Sequence, residues 1–468
     1  MDPVKETVEL TADYAVRYLA TLGERPVRAE ASIDDLRAAL GGPLPERGLE
    51  DARVVAELIA AAEPGIVASP SGRYFGFVVG GALTASLAAD WLTSTWDQNA
   101  GLVVLSPAAA VVEEVAIEWL RELLGLPEGI SAGFVTGCQM AHVTALAAAR
   151  HQVLENAGWN LNRDGLHAAP RIRVLVGEQR HVTIDRALRF LGIGSAQIES
   201  LATDPQGRLR ADALRDALDG KQGPTIVCAQ AGDVNTGAFD PFDEIADAVA
   251  GSGAWVHVDG AFGLWAAASP RFRHLLAGVE RADSWTTDGH KWLNVPYDSG
   301  IAFCAHPEAH RAAMSVRASY LEQTDPEAGR DQVDWNPEFS RRARGFPLYA
   351  AIRTLGRDGI AGLVERCCDH AARFAEVLGA QPDVEILNDV VLNQVLVRFA
   401  DDDALTRAAV QRVQEDGTCW LSGTDWLGRA AMRISVSNWQ TSAEDVDRSA
   451  AAILESFKNV AGEPIATR

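Results

Sequence analysis

The sequence is short of positive charge. Its 468 residues carry 42 lysines and arginines against 64 aspartates and glutamates, which gives a formal net charge of −22. Nucleic acids and anionic membrane surfaces attract basic proteins, so we expect neither as a partner. Local groups, and not the overall field, would have to hold any anionic ligand.

Several signals of location and metal binding are also missing. No stretch is apolar for long enough to span a bilayer, and the segment MDPVKETVEL lacks the basic region and apolar core of a secretory signal. The six cysteines show neither C-x-x-C spacing nor a regular framework. We therefore expect a cytoplasmic protein with reduced thiols, no membrane partner and no metal site.

Two nucleotide-binding motifs are absent as well. The chain has no G-x-G-x-x-G after a strand and no G-x-x-x-x-G-K-[ST], so a dinucleotide or triphosphate site has little support. Hydrophobic residues make up 47% and charged residues 23%, which is ordinary globular composition. The length predicts one large domain with one or two smaller ones.

What the chain does have is an acid and an amine at two predicted strand ends. The apolar run 255–258 stops at Asp259, and Lys291 follows a second apolar run that ends in Thr286-Thr287. Open α/β sheets bind ligands beyond the carboxyl ends of their strands. A lysine that forms a Schiff base and a carboxylate that pairs with a pyridinium nitrogen suggest pyridoxal phosphate (PLP), although either residue alone is more often structural.

Two further segments fit a planar, phosphorylated cofactor. The turn Gly137-Cys138-Gln139 lies between a predicted strand and a helix, whose first amides are unpaired and favour an anion. His181 follows the predicted strand 172–177 and precedes a helix, where its ring can stack on a cofactor. In isolation, such a segment is more often an ordinary strand-to-helix turn, and such a histidine is more often structural.

The motifs HVDGAFG and TTDGHKWLNVPYDSG resemble those of the PLP-dependent group II amino acid decarboxylases, the family of aromatic-amino-acid and glutamate decarboxylases. The resemblance runs from about Arg73 to Asn438. It implies an α/β protein of PLP fold type I, aspartate-aminotransferase-like, with a mostly parallel seven-stranded sheet in the large domain. The expected parts are an N-terminal helical arm at 1–72, a large PLP-binding domain at 73–345 and a small α+β domain at 346–468.

The resemblance also implies the site residues. The expected catalytic residues are Lys291, His181, Asp259 and Tyr320, with Tyr320 protonating Cα after carbon dioxide leaves. The expected cofactor-binding residues are Gly137, Cys138, Gln139, His181, Asp259, Ala261, Asp288, His290 and Lys291. The expected substrate-pocket residues are Val79, Gly81, Trp96 and Gln98.

The chain departs from the family pattern at three places. Cys138 and Gln139 stand where the family usually has a second glycine and a hydroxyl residue, and Asp233 and Val234 stand where it has two threonines. The segment 78–81 is Val-Val-Gly-Gly, whereas members that act on aromatic substrates carry bulky rings and a proline there. The last departure makes an aromatic substrate less favoured.

The activity that the resemblance implies is decarboxylation of an L-amino acid to the corresponding amine and carbon dioxide, by a homodimer with shared active sites. Three alternatives stay open: an aldehyde-forming oxidative decarboxylase-deaminase, an aminotransferase and a desulfurase. The last two share the fold and the Asp–Lys pair. The residues alone do not identify the amino acid.

Overall fold

The computed structural model describes residues 2–315 and 329–462. The chain divides into two compact units. The first comprises the described parts of Met1–Val79, Arg373–Ile386 and Val397–Arg468, and the second comprises those of Gly80–Ala372 and Leu387–Leu396. The domain boundaries expected from the sequence stay a prediction.

A seven-stranded sheet forms the centre of the second unit. Its strands are β1 (Ser131–Val135), β2 (Arg173–Gly177), β3 (Ile198–Leu201), β4 (Thr225–Gln230), β5 (Trp255–Asp259), β6 (Ser284–Asp288) and β7 (Gly300–Cys304). The order is β1-β7-β6-β5-β4-β2-β3, and every neighbouring pair is parallel except the two that involve β7. The predicted mostly parallel sheet is therefore confirmed.

Helices precede, connect and follow these strands. The α-helices are α1 (Pro3–Thr21), α2 (Ile33–Leu40), α3 (Asp51–Ala62), α4 (Thr84–Trp96), α5 (Pro107–Leu123), α6 (Cys138–Asn156), α7 (Leu161–Asp164), α8 (Val182–Phe190), α9 (Ala211–Leu218), α10 (Phe242–Val249), α11 (Gly289–Trp292), α12 (Pro307–Met314), α13 (Gly345–Gly379), α14 (Asp403–Asp416) and α15 (Ala443–Gly462). The 3₁₀ helices are Glu63–Gly65, Ser195–Gln197, Gly263–Ala268, Arg273–Leu276, Val279–Arg281 and Gln332–Asp334. Gly356, with φ 59°, interrupts α13. No helix among the described residues is long and apolar enough to cross a membrane.

Helix α6 is buried on nearly all sides, which explains its alanine-rich sequence. Eleven of its residues are buried, among them Leu146, Val153 and Leu154. These side chains join an apolar core with residues of β2 and β4, including Val174 and Ile226. An α-helix that is apolar all round belongs inside a protein, and this position fixes the start of α6 against the sheet.

The first unit joins the N-terminal helices to the C-terminal part of the chain. The smaller sheet has the order β10-β11-β9-β8, with strands β8 (Val384–Ile386), β9 (Gln394–Phe399), β10 (Ser422–Trp426) and β11 (Arg429–Ser435). Arg73 is buried, and its guanidinium donates hydrogen bonds to the carbonyl oxygens of Gly23, Arg25 and Thr418. Because a buried guanidinium needs such acceptors, Arg73 ties the segment after α1 to the C-terminal chain.

Candidate active site

The predicted acid and amine lie at the same edge of the large sheet. Strand β5 ends at Asp259, and its parallel neighbour β6 ends at Asp288, with Asp259 paired to Thr286 in register. Lys291 lies in the short helix α11 that follows β6 directly. Since parallel neighbours present their carboxyl ends together, the sheet itself brings these groups to one place.

Asp288 is the charged partner of Lys291. The Nζ atom of Lys291 lies 3.1 Å from Oδ2 of Asp288. Burial alone would lower the pKa of Lys291, but the negative charges of Asp288 and Asp259 outweigh burial and raise it above its usual value. His290 lies on the other side of the same carboxylate, with Nε2 3.6 Å from Oδ1. In this structure Lys291 is therefore a charged amine held by Asp288.

The start of α6 lies against the same carboxylate. The backbone N–H of Cys138 donates to Oδ1 of Asp288 at 2.7 Å, so this amide already has an acceptor. The next amide, that of Gln139, has no acceptor in the described part of the chain and is available to an anion at the helix start. Gly300 packs closely here, because a Cβ on it would lie 2.4 Å from Cα of Gly137. The turn at Gly137 therefore packs directly against the backbone of Gly300.

Gln139 and His181 are linked through one residue of α8. The side-chain amide of Gln139 donates to the carbonyl oxygen of Thr183 at 3.2 Å, and Nδ1 of His181 lies 2.7 Å from Oγ1 of Thr183. His181 caps the N-terminus of α8. The side chain of Gln139 therefore positions the start of α8 in this structure. The backbone N–H of Gln139 is the group that is available to donate a hydrogen bond to an anion.

Asp259 is a buried carboxylate that stays charged. It is 5% exposed, its Oδ1 accepts from the backbone N–H of Ala261 at 3.1 Å, and its Oδ2 lies 3.4 Å from Nε2 of His142. Burial alone would raise the pKa of Asp259, but His142, His181 and Lys291 together outweigh burial and hold it well below its usual value. A charged carboxylate in this position can keep a heterocyclic nitrogen protonated.

Sequence analysis missed His142 and His257, which lie behind Asp259. His142 is on α6, four residues after Cys138, and His257 is on β5, two residues before Asp259. Residues four apart on a helix and two apart on a strand share a face. The spacing of His142 from Cys138, and of His257 from Asp259, was therefore the signal in the sequence that these histidines face the predicted site.

Cys138, His142 and Asp259 bring three donor atoms within 4.8 Å of one another. Burial raises the pKa of the Cys138 thiol well above its usual value, so the sulfur stays protonated and is a poor metal ligand. Oδ2 of Asp259 already faces His142. The cluster fits a charge-holding role better than a metal centre.

Gly80 approaches the backbone of Lys291. A Cβ on Gly80 would lie 1.7 Å from the carbonyl oxygen of Lys291 and 2.9 Å from Nδ2 of Asn294. No side chain fits there, so the close approach requires glycine. The resemblance implies a substrate pocket at the neighbouring Val79 and Gly81, and the structure adds that Gly80 contacts the backbone that carries Lys291.

Three of the four predicted substrate-pocket residues, Gly81, Trp96 and Gln98, belong to the second unit. Trp96 is 48% exposed at the end of α4, and the side-chain amide of Gln98 donates to its carbonyl oxygen at 2.8 Å. Their contact with a substrate stays a prediction. Tyr320 lies outside the described residues, and its role also stays a prediction.

Asp233, one of the departures from the family pattern, organises its own loop. Its Oδ1 accepts from the backbone N–H groups of Asn235 and Thr236 at 2.8 and 2.9 Å, and its Oδ2 accepts from the side chain of Gln230 at 3.0 Å. Burial raises the pKa of Asp233 although these hydrogen bonds oppose it. The carboxylate of Asp233 therefore holds the loop together at a position where the family has a hydroxyl residue.

Known proteins with similar sequences are amino acid decarboxylases and related enzymes. Residues 35–400 match the family described as "Pyridoxal-dependent decarboxylase conserved domain". The aromatic-L-amino-acid decarboxylase of Bacillus atrophaeus is 28% identical over 453 residues, which cover 93% of this chain and 91% of that protein. The 4-hydroxyphenylacetaldehyde synthase of Rhodiola rosea is 27% identical over 447 residues, which cover 90% and 88%.

Solved structures are similar over nearly the whole chain. The Oryza sativa TDC structure with PLP and tryptamine has a TM-score of 0.91 at 25% identity, with 98% of each chain covered. The 4-hydroxyphenylacetaldehyde synthase structure from Rhodiola rosea has a TM-score of 0.87 at 25% identity, covering 97% of this chain and 98% of that one. With the family match and the lysine at the strand end, these likenesses confirm a PLP-dependent enzyme of fold type I. The chain belongs to the pyridoxal-dependent decarboxylase family.

Proposed function

We propose that this protein removes the α-carboxylate of an L-amino acid as carbon dioxide and releases the corresponding amine, with Lys291 as the residue that holds PLP covalently. When bound, PLP supplies an electron sink for the bonds at Cα of the substrate. The observation that carries the proposal is the buried amine of Lys291, 3.1 Å from Asp288 at the end of β6, beside the strand that ends in Asp259.

The residues present fit PLP in three respects. Lys291 supplies the amine, and the start of α6 supplies an amide and a helix dipole for the phosphate. Asp259 supplies a buried carboxylate, whose lowered pKa keeps it charged beside the ring nitrogen. His181, at the start of α8, is the residue that we expect over the ring.

The substrate is the least determined part of the proposal. Relatives include aromatic-L-amino-acid decarboxylases and the histidine decarboxylase of Rattus norvegicus, which is 27% identical over 450 residues. The segment 78–81 lacks the bulky rings and proline of members that act on aromatic substrates, which makes an aromatic substrate less favoured. A panel of aromatic, basic and acidic L-amino acids, assayed for carbon dioxide and amine, tests this with Lys291→Ala as the inactive control.

The panel also separates decarboxylation from the alternatives. We expect equal amounts of carbon dioxide and amine from at least one L-amino acid. Transfer of the amino group to a 2-oxo acid without carbon dioxide would instead identify an aminotransferase. Sulfur release from cysteine would identify a desulfurase.

Asp259→Ala tests the proposed role of the carboxylate. Without a partner the ring nitrogen loses its proton, so we expect the variant to bind PLP more weakly, to load it still at saturating PLP, and to lose nearly all turnover. Retention of most of the wild-type rate would show that Asp259 is structural. PLP content, measured after release in alkali, is the control for loading.

We also propose a cytoplasmic homodimer with active sites that take residues from both chains. In support, α1 exposes apolar side chains at Val4, Val8 and Val16, and the six cysteines are free and buried. Sedimentation of the holoenzyme should give twice the 50.1 kDa mass of the chain. A fully active monomer would refute the shared site.

A further inference from the structure

A row of buried polar side chains runs from Asp259 into the interior of the second unit. Nδ1 of His142 lies 3.0 Å from Nε2 of His257, and Nδ1 of His257 lies 2.9 Å from Oγ of Ser284. The indole N–H of Trp255 donates to the same Oγ at 2.9 Å. His142, His257 and Ser284 have no measurable exposure. The row has one charged end, at Asp259, and one end that can only donate, at Trp255.

These two ends fix where each proton lies. His142 Nε2 has no well-aligned hydrogen bond among the described residues, and its charged neighbour is Oδ2 of Asp259 at 3.4 Å. A nitrogen lone pair facing a buried carboxylate would repel it, so Nε2 carries the proton. With that proton on Nε2, His142 accepts at Nδ1 from the Nε2–H of His257.

The remaining protons follow in sequence. With its proton on Nε2, His257 accepts at Nδ1 from the hydroxyl of Ser284, whose oxygen accepts from Trp255. If His142 were doubly protonated, the order would reverse, and the Ser284 oxygen would accept from both His257 and Trp255. Burial lowers the pKa of His257 to about 3, which keeps this ring neutral. The neutral order gives every group in the row a partner, and every donor points toward Asp259.

We propose that His142 is a positioning residue that holds the carboxylate of Asp259 by donating from Nε2, and that His257 and Ser284 fix that proton on Nε2. The inference rests on the proposed role of Asp259 at the cofactor ring. It assigns a function to two histidines that the reaction does not otherwise use.

The environment of Asp259 explains why such a donor is needed. The carboxylate is 5% exposed, and burial is the largest influence on its pKa, in the direction that favours the neutral acid. The hydrogen bond from His142 opposes burial, as do the charges of His181 and Lys291. The other titratable groups near this carboxylate are His181 at the N-cap of α8, Lys291 on α11, Cys138 on α6, Cys228 on β4 and His257 on β5. Without His142, the carboxylate would lose its main partner for staying charged.

Nδ1 of His142 also lies 3.3 Å from Oγ1 of Thr286, so this nitrogen has two polar neighbours and Nε2 has one. Three variants of His142 separate the roles of the two ring nitrogens. A glutamine can place an N–H near the position of Nε2, an asparagine only near that of Nδ1, and a leucine at neither. The readout is the dissociation constant of PLP from each apoprotein, measured by quenching of tryptophan fluorescence. His151→Leu, nine residues further along α6, is the matched control.

We expect His142→Leu and His142→Asn to bind PLP about tenfold or more weakly, because a hydrogen bond to a charged group is lost. His142→Gln should stay within about threefold of wild type, as should the control. Equal binding by the leucine and glutamine variants would overturn the proposal. The melting temperature of each apoprotein shows whether a weak binder is folded.

A measurement on the wild-type protein covers the case in which the variants fail to fold. In protein labelled with ¹⁵N-histidine, we expect His142 and His257 both to carry their proton on Nε2. A proton on Nδ1 of His142 would overturn the proposal. Because neither the tautomer nor PLP binding requires turnover, these results stay interpretable if the substrate panel finds no decarboxylation.

Discussion

The amine of Lys291 and the carboxylate of Asp288 lie 3.1 Å apart, with side chains that are 20% and 3% exposed. They are three residues apart, and the short helix α11 after β6 brings them together. A charged amine is a poor nucleophile, so Lys291 has to lose this proton before it can bond to the cofactor.

Asp288→Asn should lower the pKa of Lys291. Asp288 is the main group that raises this pKa, and burial, which opposes it, would then dominate. The raised pKa means that the pair stabilises the fold below the usual lysine pKa, and that this contribution is lost as the pH rises through the folded-state value. The measurement is the pH dependence of amine labelling of Lys291 in the apoprotein, by peptide mass spectrometry.

The chain contains its own controls for that experiment. Its three other lysines, Lys5, Lys221 and Lys458, are exposed, and the extent of their labelling serves as the internal reference in both proteins. We expect the midpoint of Lys291 alone to fall in the variant. An unchanged or higher midpoint would show that another group holds its charge.

Gly80→Ala should disturb the backbone that carries Lys291. The added Cβ would lie 1.7 Å from the carbonyl oxygen of Lys291, so one of the two segments has to move. We expect a loss of about 1–3 kcal/mol in the free energy of unfolding and weaker PLP binding. Gly194→Ala is the matched control, because its Cβ meets nothing within 4 Å. Wild-type stability in Gly80→Ala would contradict the close approach.

Tyr320→Phe should change the product. In the family that the sequence resembles, the tyrosine at this position protonates Cα after carbon dioxide leaves, and a phenylalanine accompanies an aldehyde product. We expect amine from the wild-type protein, and aldehyde, ammonia and peroxide from the variant in air. Amine as the sole product of the variant, at an unchanged rate, would point to another proton donor, such as His181.

The sheet edge that forms the site could be predicted from the sequence, because its signals are local. Asp259 and Lys291 each follow a buried run that ends abruptly, and Gly137 starts a helix after a strand. Parallel pairing then brings such ends together without further information. The resemblance of the motifs supplied the fold type, which local patterns do not specify.

The contacts that the sequence did not predict join residues far apart in the chain. The approach of Gly80 to Lys291 and that of His142 to Asp259 depend on how whole segments pack, and a single glycine or histidine carries no signal of its partner. The role of the Gln139 side chain could not be predicted for the same reason, because its hydrogen bond to Thr183 depends on the placement of α8. Side-chain direction in a turn is set by tertiary packing, so such roles emerge only from the structure.

The central claim is that Lys291 holds the cofactor, and borohydride reduction of the holoenzyme tests it most directly. Reduction makes the bond between a lysine and PLP permanent, and peptide mapping then locates it. With only four lysines in the chain, and Lys291 the one that is largely buried, the result is unambiguous. We expect the label on the peptide that contains Lys291. A label on Lys5, Lys221 or Lys458, or none in a protein that retains PLP, would contradict it.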